Sequence, residues 1–335
     1  MVKRIDESDT FLKAYNNRPA RTMVKTMLID NYTRAVLLHH PKDKLSFNLI
    51  NQKCSRMIDY IFDRIEEVKY SPEKLFPLFE RLSRNNSRRD DIWFCEFIES
   101  YENYKHNVKL IRRYDQIKDF LKGNSFCDVG CGGGDLAFYV KKHSPAISMS
   151  AGIDVVDWRT EGLKKEIDFL LMDLSSRGTV SSRQFDTVTC LAVLHHISSG
   201  DEAVNVFLSN LKSALSKTST LIIEEDVLIT REIQDSHEFV NDIEILKTNQ
   251  IYFNNFIALN EKDQKAVLIL IDFLANCLSV GVPQMAFPCG FRSIENWIDL
   301  FTTNLYKVDE VRIHGFIPGN FNQSAHATFV LSSCS

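Results

Sequence analysis

The sequence predicts an α/β protein in which a helical amino-terminal domain precedes a doubly wound sheet of seven strands. Up to Asn124, apolar residues recur at three- and four-residue spacing, which is the period of an amphipathic helix. Beyond Gly123 the pattern changes to short apolar runs rich in β-branched residues, separated by Gly, Asp and polar turns. Helical stretches lie between most of these runs, and such alternation is typical of a largely parallel sheet.

The helical domain, or lid, is predicted to span residues 1–122. Its helical spacing runs through Met23, Met27, Leu28, Tyr32 and Val36, and again through Ile58, Ile61, Phe62 and Ile65. Ser71-Pro72-Glu73 is typical of a helix start, with Ser as the N-cap and Pro at the first helical position. A further helix is expected from near Asp90 towards Leu121, and it leads into the sheet.

The second domain is predicted to span residues 123–335 and to contain all the strands. The first five strands are expected at Phe126–Val129, Ile147–Asp154, Ile167–Met172, Phe185–Cys190 and Thr220–Glu225. Helical spacing separates them at Leu136–His143 and Glu202–Leu215. A helix at Ser293–Thr302 and two last strands, Val308–His314 and Ala327–Ser332, are expected to complete the domain.

Residues 227–290 interrupt this alternation and are mostly helical in pattern. They follow the fifth strand as an insertion. In α/β proteins the ligand binds outside the carboxyl ends of the strands, and long connections at that edge are commonly functional. We therefore predict that this segment is a helical cap over the substrate site.

Length and composition are those of a globular protein, with 335 residues, of which 44% are hydrophobic and 25% are charged. The most apolar stretch, Ala266–Val282, contains Asp272 and Asn276 and falls short of the roughly 20 residues that cross a bilayer. The first residues lack the apolar segment of a secretory signal. We expect a cytoplasmic protein that does not associate with membranes.

The eight cysteines are scattered along the chain, with no C-x-x-C pair. They form no cluster with His at the spacing of zinc ligands. We expect them to be reduced and mostly buried, and we expect no metal site.

Charge is distributed unevenly between the two predicted domains. Residues 1–122 contain 24 Lys and Arg against 18 Asp and Glu, a net of +6, which leaves 16 against 26, a net of −10, for the rest. A basic half can attract an anionic partner such as RNA, and it can equally dock onto its own acidic neighbour. We favour the intramolecular interpretation.

The strongest local signal is the sequence DVGCGGGD at Asp128–Asp135, directly between an apolar strand and a helical run. Glycines permit a tight turn and let a ligand approach the backbone, and the next helix presents free N–H groups. A dinucleotide-binding turn would have a third Gly or Ala at residue 135, where Asp135 stands. S-adenosylmethionine (SAM) carries an ammonium and a sulfonium and no phosphate, so acidic residues here favour SAM.

Two more acidic residues end strands at the same predicted edge of the sheet. Asp154 ends the second strand, where a carboxylate can accept both ribose hydroxyls, as it does in dinucleotide folds. Asp173 follows the third strand, where it can accept the adenine amino group. Either one alone is equally typical of a turn or a strand-end cap. The cofactor interpretation rests on all the strand-end signals together.

These motifs, with Leu194-His195-His196-Ile197 after the fourth strand, resemble the class I SAM-dependent methyltransferases, which have a Rossmann-like fold. The resemblance covers about Arg113–Leu215. It implies a set of cofactor-binding residues: Asp128, Gly130, Cys131 and Gly132 around the methionine part, Asp154 and Val155 at the ribose, Asp173 and Leu174 at the adenine, and Leu191 near the sulfonium. The chain departs from the family in Val155–Glu166, which is short for the usual helix between the second and third strands.

A methyl group on a sulfonium is already activated, so the protein mainly orients the acceptor and manages a proton. His195 and His196 follow the fourth strand, and an imidazole can accept a proton near neutral pH. We predict them as catalytic residues, with His196 favoured as the proton acceptor, although both are also explained as a structural cap of the strand. We predict that Glu225 and Tyr104 contact the substrate, but Glu225 could be solvated and Tyr104 could belong to the core.

We therefore expect a methyltransferase that acts on an O or N atom of a small-molecule acceptor in a pocket under the cap. An RNA or tRNA methyltransferase is the main alternative, since the basic amino-terminal domain could contact phosphates. A catalytically silent protein that binds SAM or a partner on the same fold is a third. The oligomeric state does not follow from the sequence.

Overall fold

The computed structural model describes residues 2–42, 44–88, 93–198, 200–230, 250–275, 289–316, 320–321 and 324–333. The predicted cap is therefore described only in part, and its residues 231–249 and 276–288 lie outside these ranges. Among the described residues, no helix is both long enough and apolar enough to cross a membrane.

The amino-terminal part is helical, as predicted. Its helices are α1 (Val2–Tyr15), α2 (Arg18–His39), α3 (Phe47–Val68), α4 (Pro72–Arg88), α5 (Cys95–Tyr104) and α6 (Leu110–Ile117). Asn17 caps α2 by accepting a hydrogen bond from the amide of Ala20 at 3.1 Å. Between α5 and α6, Lys105–Lys109 forms a π-helical segment with helical backbone at both junctions. The sequence pattern predicted one helix in this region and gave no sign of the π segment.

A central sheet follows, built from eight strands. They are β1 (Ser125–Val129), β2 (Met149–Asp154), β3 (Asp168–Leu171), β4 (Phe185–Leu191), β5 (Leu215–Leu228), β6 (Arg292–Ser293), β7 (Tyr306–His314) and β8 (His326–Ser333). The main path has the seven predicted strands in the order β3-β2-β1-β4-β5-β8-β7, and β6 pairs only with β5. The first five strands run parallel, and β8 is antiparallel to both β5 and β7. The predicted Rossmann-like α/β architecture is confirmed.

Helices α7 (Asp135–His143), α8 (Asp201–Leu211) and α11 (Ile294–Thr303) connect the strands, and α9 (Gln250–Ile257) and α10 (Glu261–Leu274) are the described helices of the cap. β5 reaches Leu228, further than predicted, because Val227 and Leu228 pair with the short strand β6. The link between β2 and β3 contains only a short 3-10 turn, Leu163–Lys165, in agreement with its length.

The cap helix α10 packs against α1, α2 and β5. The ring of Phe273 in α10 lies 4.5 Å from that of Phe11, 5.0 Å from Phe79 and 5.6 Å from Phe76, measured between centroids. All four side chains are buried in one hydrophobic core that also contains the central strands. The amino-terminal helices, the cap helix and the sheet are therefore stabilised by the same apolar contacts.

Candidate functional site

The predicted site residues gather at the carboxyl ends of the parallel strands. Asp128 lies near the end of β1 and is only 6% exposed. Its Oδ1 accepts a hydrogen bond from the hydroxyl of Thr189 on the neighbouring strand β4, at 2.7 Å. Burial raises the pKa of Asp128 to about 6, although Thr189 and the charge of Arg113 lower it in part. Asp128 is thus a carboxylate whose ionised form needs a nearby cation.

The glycine turn after β1 has a backbone that favours glycine. Gly130, Gly132 and Gly134 have φ angles of +71°, +52° and +79°, all in the left-handed region. A Cβ on Gly130 would lie 2.4 Å from Cγ2 of Val193, whereas a Cβ on Gly132 would meet no atom within 4 Å. Gly130 therefore serves the packing of the turn, and Gly132 faces open space that a ligand can fill.

Asp154 joins the glycine turn to the end of β2. Its Oδ2 accepts a hydrogen bond from the amide of Gly132 at 2.8 Å, and its Oδ1 accepts one from the amide of Val155 at 2.7 Å. Cys131 is buried against Gly152 in the same strand, while the side chain of Val155 is 61% exposed. The turn and the predicted ribose carboxylate are therefore held together before any ligand binds.

Asp173 and Leu174 follow β3 at the same edge. The carboxylate of Asp173 accepts hydrogen bonds from the hydroxyls of Ser175 and Ser176, at 2.5 and 2.8 Å, and shapes the local turn. Leu174 is 2% exposed and belongs to the core, and Leu191, at the end of β4, is 8% exposed. Asp173 forms the turn at this edge of the sheet, and its contact with adenine stays a prediction.

A buried charge cluster lies just beyond β4. Glu225 is fully buried, and its Oε1 accepts the amides of Val193 and Leu194 at 3.0 and 2.6 Å. Its Oε2 lies 2.6 Å from Nδ1 of His195, which is 1% exposed. Burial alone would lower the pKa of His195, but Glu225 and Asp272 together raise it well above its ordinary value. His195 is therefore held as an imidazolium.

The cap helix α10 contributes Asp272 to this cluster. Its Oδ1 lies 3.7 Å from Nε2 of His195 and 3.7 Å from Nε2 of His196, which are ion-pair distances. The three side-chain atoms lie within 4.8 Å of one another, so the proton of His195 is close enough to be shared among them. The side chain of His196 is 12% exposed, against 1% for His195. His196 is thus the more accessible of the two.

Tyr104, predicted to contact substrate, is 5% exposed at the end of α5. Its hydroxyl donates a hydrogen bond to Oδ1 of Asn320 at 3.1 Å. Its ring lies 5.4 Å from Phe321 and 5.0 Å from His39. Glu225, the other residue predicted to contact substrate, lies in the buried cluster, where it bonds to His195.

The residues of the cofactor edge fit SAM. Asp128 and Asp154 provide negative charge beside a turn whose Gly132 leaves open space, and the raised pKa of Asp128 indicates that Thr189 and Arg113 compensate its charge only in part. An ammonium group at this place would supply the missing cation. The residues that would hold SAM are therefore those of the glycine turn with the three strand-end aspartates.

Sequence reasoning missed Thr189 and Asp272. Thr189 reaches Asp128 because β1 and β4 are neighbours, with Asp128 opposite Thr189 in the register. Nothing in the local sequence distinguishes it from other strand residues. Asp272 had a signal, since it is the one acid in the apolar second half of its helix, and such a residue is usually buried with a partner. Only the fold shows that its partners are the histidines.

Known proteins resemble the chain in sequence and in fold. A family described as a methyltransferase domain matches residues 72–241, just over half of the chain. The ubiquinone biosynthesis O-methyltransferase of Coxiella burnetii is 32% identical over 97 residues, which are 28% of this chain and 41% of that protein. The chain thus aligns with less than half the length of this curated relative.

A solved structure shares the fold over most of the chain, and a second is less similar. The pyocyanin biosynthetic protein PhzM has a TM-score of 0.51 at 12% identity, and the match covers 87% of this chain and 77% of that one. The magnesium protoporphyrin IX methyltransferase ChlM of Synechocystis, solved with bound S-adenosylhomocysteine (SAH), has a TM-score of 0.41 at 17% identity, covering 77% of this chain and 98% of that one.

Proposed function

Because the chain belongs to the class I SAM-dependent methyltransferases, we propose that it transfers the methyl group of SAM to an O or N atom of a small-molecule acceptor. The observation that carries the proposal is a buried Asp128, whose charge is only partly compensated, beside the open space at Gly132. The local identity to an O-methyltransferase that acts in ubiquinone biosynthesis favours oxygen as the acceptor atom.

When bound, SAM supplies a methyl group that is already activated by its sulfonium. Asp128 would pair with its ammonium, Asp154 and Val155 would hold the ribose, and Asp173 would hold the adenine. Cys131, Leu174 and Leu191 would provide the apolar contacts. The remaining tasks of the protein are to orient the acceptor and to take its proton.

His196 is the proposed proton acceptor. His195 is a poor candidate for that step, because Glu225 and Asp272 keep it protonated. We assign His195 as a positioning residue: its charge fixes Asp272, and Asp272 in turn lies 3.7 Å from Nε2 of His196. The more exposed imidazole is then oriented from within the protein and open towards an acceptor.

The proposal is tested in two steps. Calorimetry with SAM and SAH first measures cofactor binding, which we expect to be clear for both. The protein is then incubated with methyl-labelled SAM and either the small-molecule fraction or the RNA fraction of a cell extract. We expect label in small molecules. Label found only in RNA would identify RNA, and not a small molecule, as the acceptor. SAM binding without any transfer would indicate a silent SAM-binding protein.

A further inference from the structure

Three cationic residues share one face of the helix that leads into the sheet. Lys109 ends the π-helical segment, and Arg112 and Arg113 follow three and four residues later in α6. Residues at this spacing lie on the same side of a helix, where like charges repel. π-helical segments are frequent at functional sites. This cationic face, Lys109 with Arg112 and Arg113, therefore needs a compensating partner.

The cationic face points to the carboxyl edge of the sheet. Arg112 donates a hydrogen bond from Nη1 to Oδ1 of Asn320, the residue that also accepts from Tyr104. Burial alone would raise the pKa of Glu224 in β5, yet its electrostatic interactions with His326, Arg113, His314 and Arg112 lower it overall. The charge of Arg113 also acts on Asp128. The cationic face thus lies near Asp128 of β1 and Glu224 of β5.

Its positive charge is only partly compensated among the described residues. In the described part of the chain, none of the three cations has a carboxylate within the 4.0 Å of an ion pair. Nε of Arg112 is buried and has no hydrogen-bond partner there. Repulsion from Arg113, and then burial, lowers the pKa of Lys109 to about 7. Asp128 and Glu224 interact with these cations at longer range, and neither forms an ion pair with them.

His314 supplies an unpaired polar atom to the same place. It is 4% exposed, its Nε2 lies 3.0 Å from the hydroxyl of Thr328, and its buried Nδ1 has no hydrogen-bond partner among the described residues. Its ring stacks on His326 at 4.9 Å. Burial lowers the pKa of His314 to about 3, so it is a neutral imidazole. A buried polar atom without a partner is expected to meet a ligand or a water.

We propose that the cationic face binds an anionic group, a carboxylate or a phosphate, on the methyl acceptor. This inference rests on the proposed function and names its substrate class. Arg113, whose charge acts on Asp128, would serve the carboxylate of the cofactor. Lys109 and Arg112 remain for the acceptor. The three cations are half-buried and Arg112 contacts the buried Asn320, so the site suits one anionic group rather than a nucleic-acid backbone.

The test measures the melting temperature of the SAH-loaded protein in rising phosphate, benzoate or benzamide, with ionic strength held constant by sodium chloride. A ligand of the native state raises this temperature saturably. We expect that effect from at least one of the two anions and not from benzamide, the neutral analogue of benzoate. Stabilisation by phosphate would indicate that the acceptor carries a phosphate, and stabilisation by benzoate would indicate a carboxylate.

Lys109→Gln and Arg112→Gln should each weaken binding of the stabilising anion about tenfold or more, because each loses a charged hydrogen bond. Lys109→Arg keeps the charge and should restore the effect, which separates lost charge from lost packing. Lys105→Gln is the matched control, since Lys105 is exposed at the start of the same π segment. It should leave the anion's effect unchanged.

The proposal is overturned if neither anion gives a saturable shift, if benzamide acts equally, or if Lys109→Gln responds like the wild type. It is also overturned if Lys109→Gln and Arg112→Gln weaken SAH binding tenfold in calorimetry, since the cations would then serve the cofactor carboxylate. The anion titrations are repeated without SAH. If the protein fails to bind SAH, that result counts against the proposed function. The titrations without SAH then still test anion binding on their own.

Discussion

Burial of the Asp128 carboxylate destabilises the folded protein and favours the binding of a cationic ligand. Its carboxylate is 6% exposed, and burial raises its pKa from 3.8 to about 6. The fold therefore favours the neutral acid, and the protein loses stability as the pH rises through about 6, where the carboxylate ionises in place. At neutral pH the charge is retained, which is useful only if a cation binds beside it.

Asp128→Asn should separate these two effects. Asn can still accept the hydrogen bond of Thr189 and carries no charge, so at neutral pH the unliganded variant should melt higher than the wild type. The gain is at most about 3 kcal/mol, from a shift of about two pKa units. SAM should bind the variant weakly at every pH, whereas wild-type affinity should fall as the pH drops through about 6.

The matched control is Asp299→Asn, at an exposed position in α11, which packs on β7 at the far edge of the sheet. It should change the melting temperature and the pH dependence of SAM affinity much less than Asp128→Asn does. Unchanged SAM affinity in Asp128→Asn would contradict the cofactor role of this residue. Melting curves and calorimetric titrations between acid and neutral pH provide both measurements.

His196→Ala and His195→Ala should have different effects on the reaction rate and on the melting temperature. Loss of a general base lowers the rate about 10²- to 10⁴-fold, so His196→Ala should slow single turnover by that order and leave SAM affinity and melting temperature nearly unchanged. His195→Ala leaves Glu225 and Asp272 buried without their cation, and it should lower the melting temperature clearly. Single-turnover rates with the labelled acceptor fraction, measured beside melting curves, test both.

Full activity in His196→Ala would refute its role as the proton acceptor. Loss of activity only in proportion to unfolding would show that the pair is structural. Glu225→Gln adds a second readout, because it keeps the hydrogen bonds to Val193 and Leu194 possible and removes the charge beside His195. If His195 positions Asp272 through its charge, Glu225→Gln should change the pH profile of the rate.

At the scale of elements, the glycine turn contains two glycines with different tasks. Gly130→Ala should destabilise the protein, since the new Cβ would lie 2.4 Å from Val193 at a φ of +71°. Gly132→Ala meets no atom, so it should cost only the left-handed backbone strain of about 1–2 kcal/mol. The added methyl group would occupy ligand space, and SAH binding should weaken strongly.

Gly178→Ala is the control for that strain. Gly178 lies in the turn before β4 with a φ of +78°, and a Cβ there, as at Gly132, would meet no atom within 4 Å. The melting temperatures of Gly132→Ala and Gly178→Ala should fall by similar amounts, whereas only Gly132→Ala should lose SAH affinity. Equal SAH affinity in the two variants would remove Gly132 from the cofactor surface.

The elements also show what a residue pattern can predict. β1, α7 and the glycine turn follow from local periodicity and turn chemistry, so their bounds were predicted within a residue or two. The length of β5 depends on β6 and β8, which are distant in sequence, and the π segment depends on hydrogen-bond register. The cationic face of Lys109, Arg112 and Arg113 was visible as a spacing, but its meaning depends on the strand ends that it faces.

At the scale of the whole molecule, the basic surplus of residues 1–122 is partly neutralised where it lies. Arg21 pairs with Glu66 at 3.4 Å, Lys25 with Asp59 at 2.6 Å and Lys53 with Glu96 at 2.8 Å. Lys109, Arg112 and Arg113 face the interior edge of the sheet. These basic residues therefore do not contribute to one continuous outer surface for a phosphate backbone.

RNA should accordingly bind weakly, and its affinity should fall steeply with salt and vanish near physiological ionic strength, because phosphate contacts release counterions. Fluorescence anisotropy with labelled RNA over a salt series measures this slope. Total tRNA serves as the competitor in the same series. A tight complex with one RNA species that resists salt would favour an RNA or tRNA methyltransferase.

Asp272 stands next to Phe273, and the ring of Phe273 is enclosed by Phe11, Phe76 and Phe79 of the amino-terminal helices. The acidic partner of the two histidines is therefore placed by a segment far from it in the gene. A graft of the predicted cap onto a different amino-terminal bundle should therefore fail to bring Asp272 to the histidines.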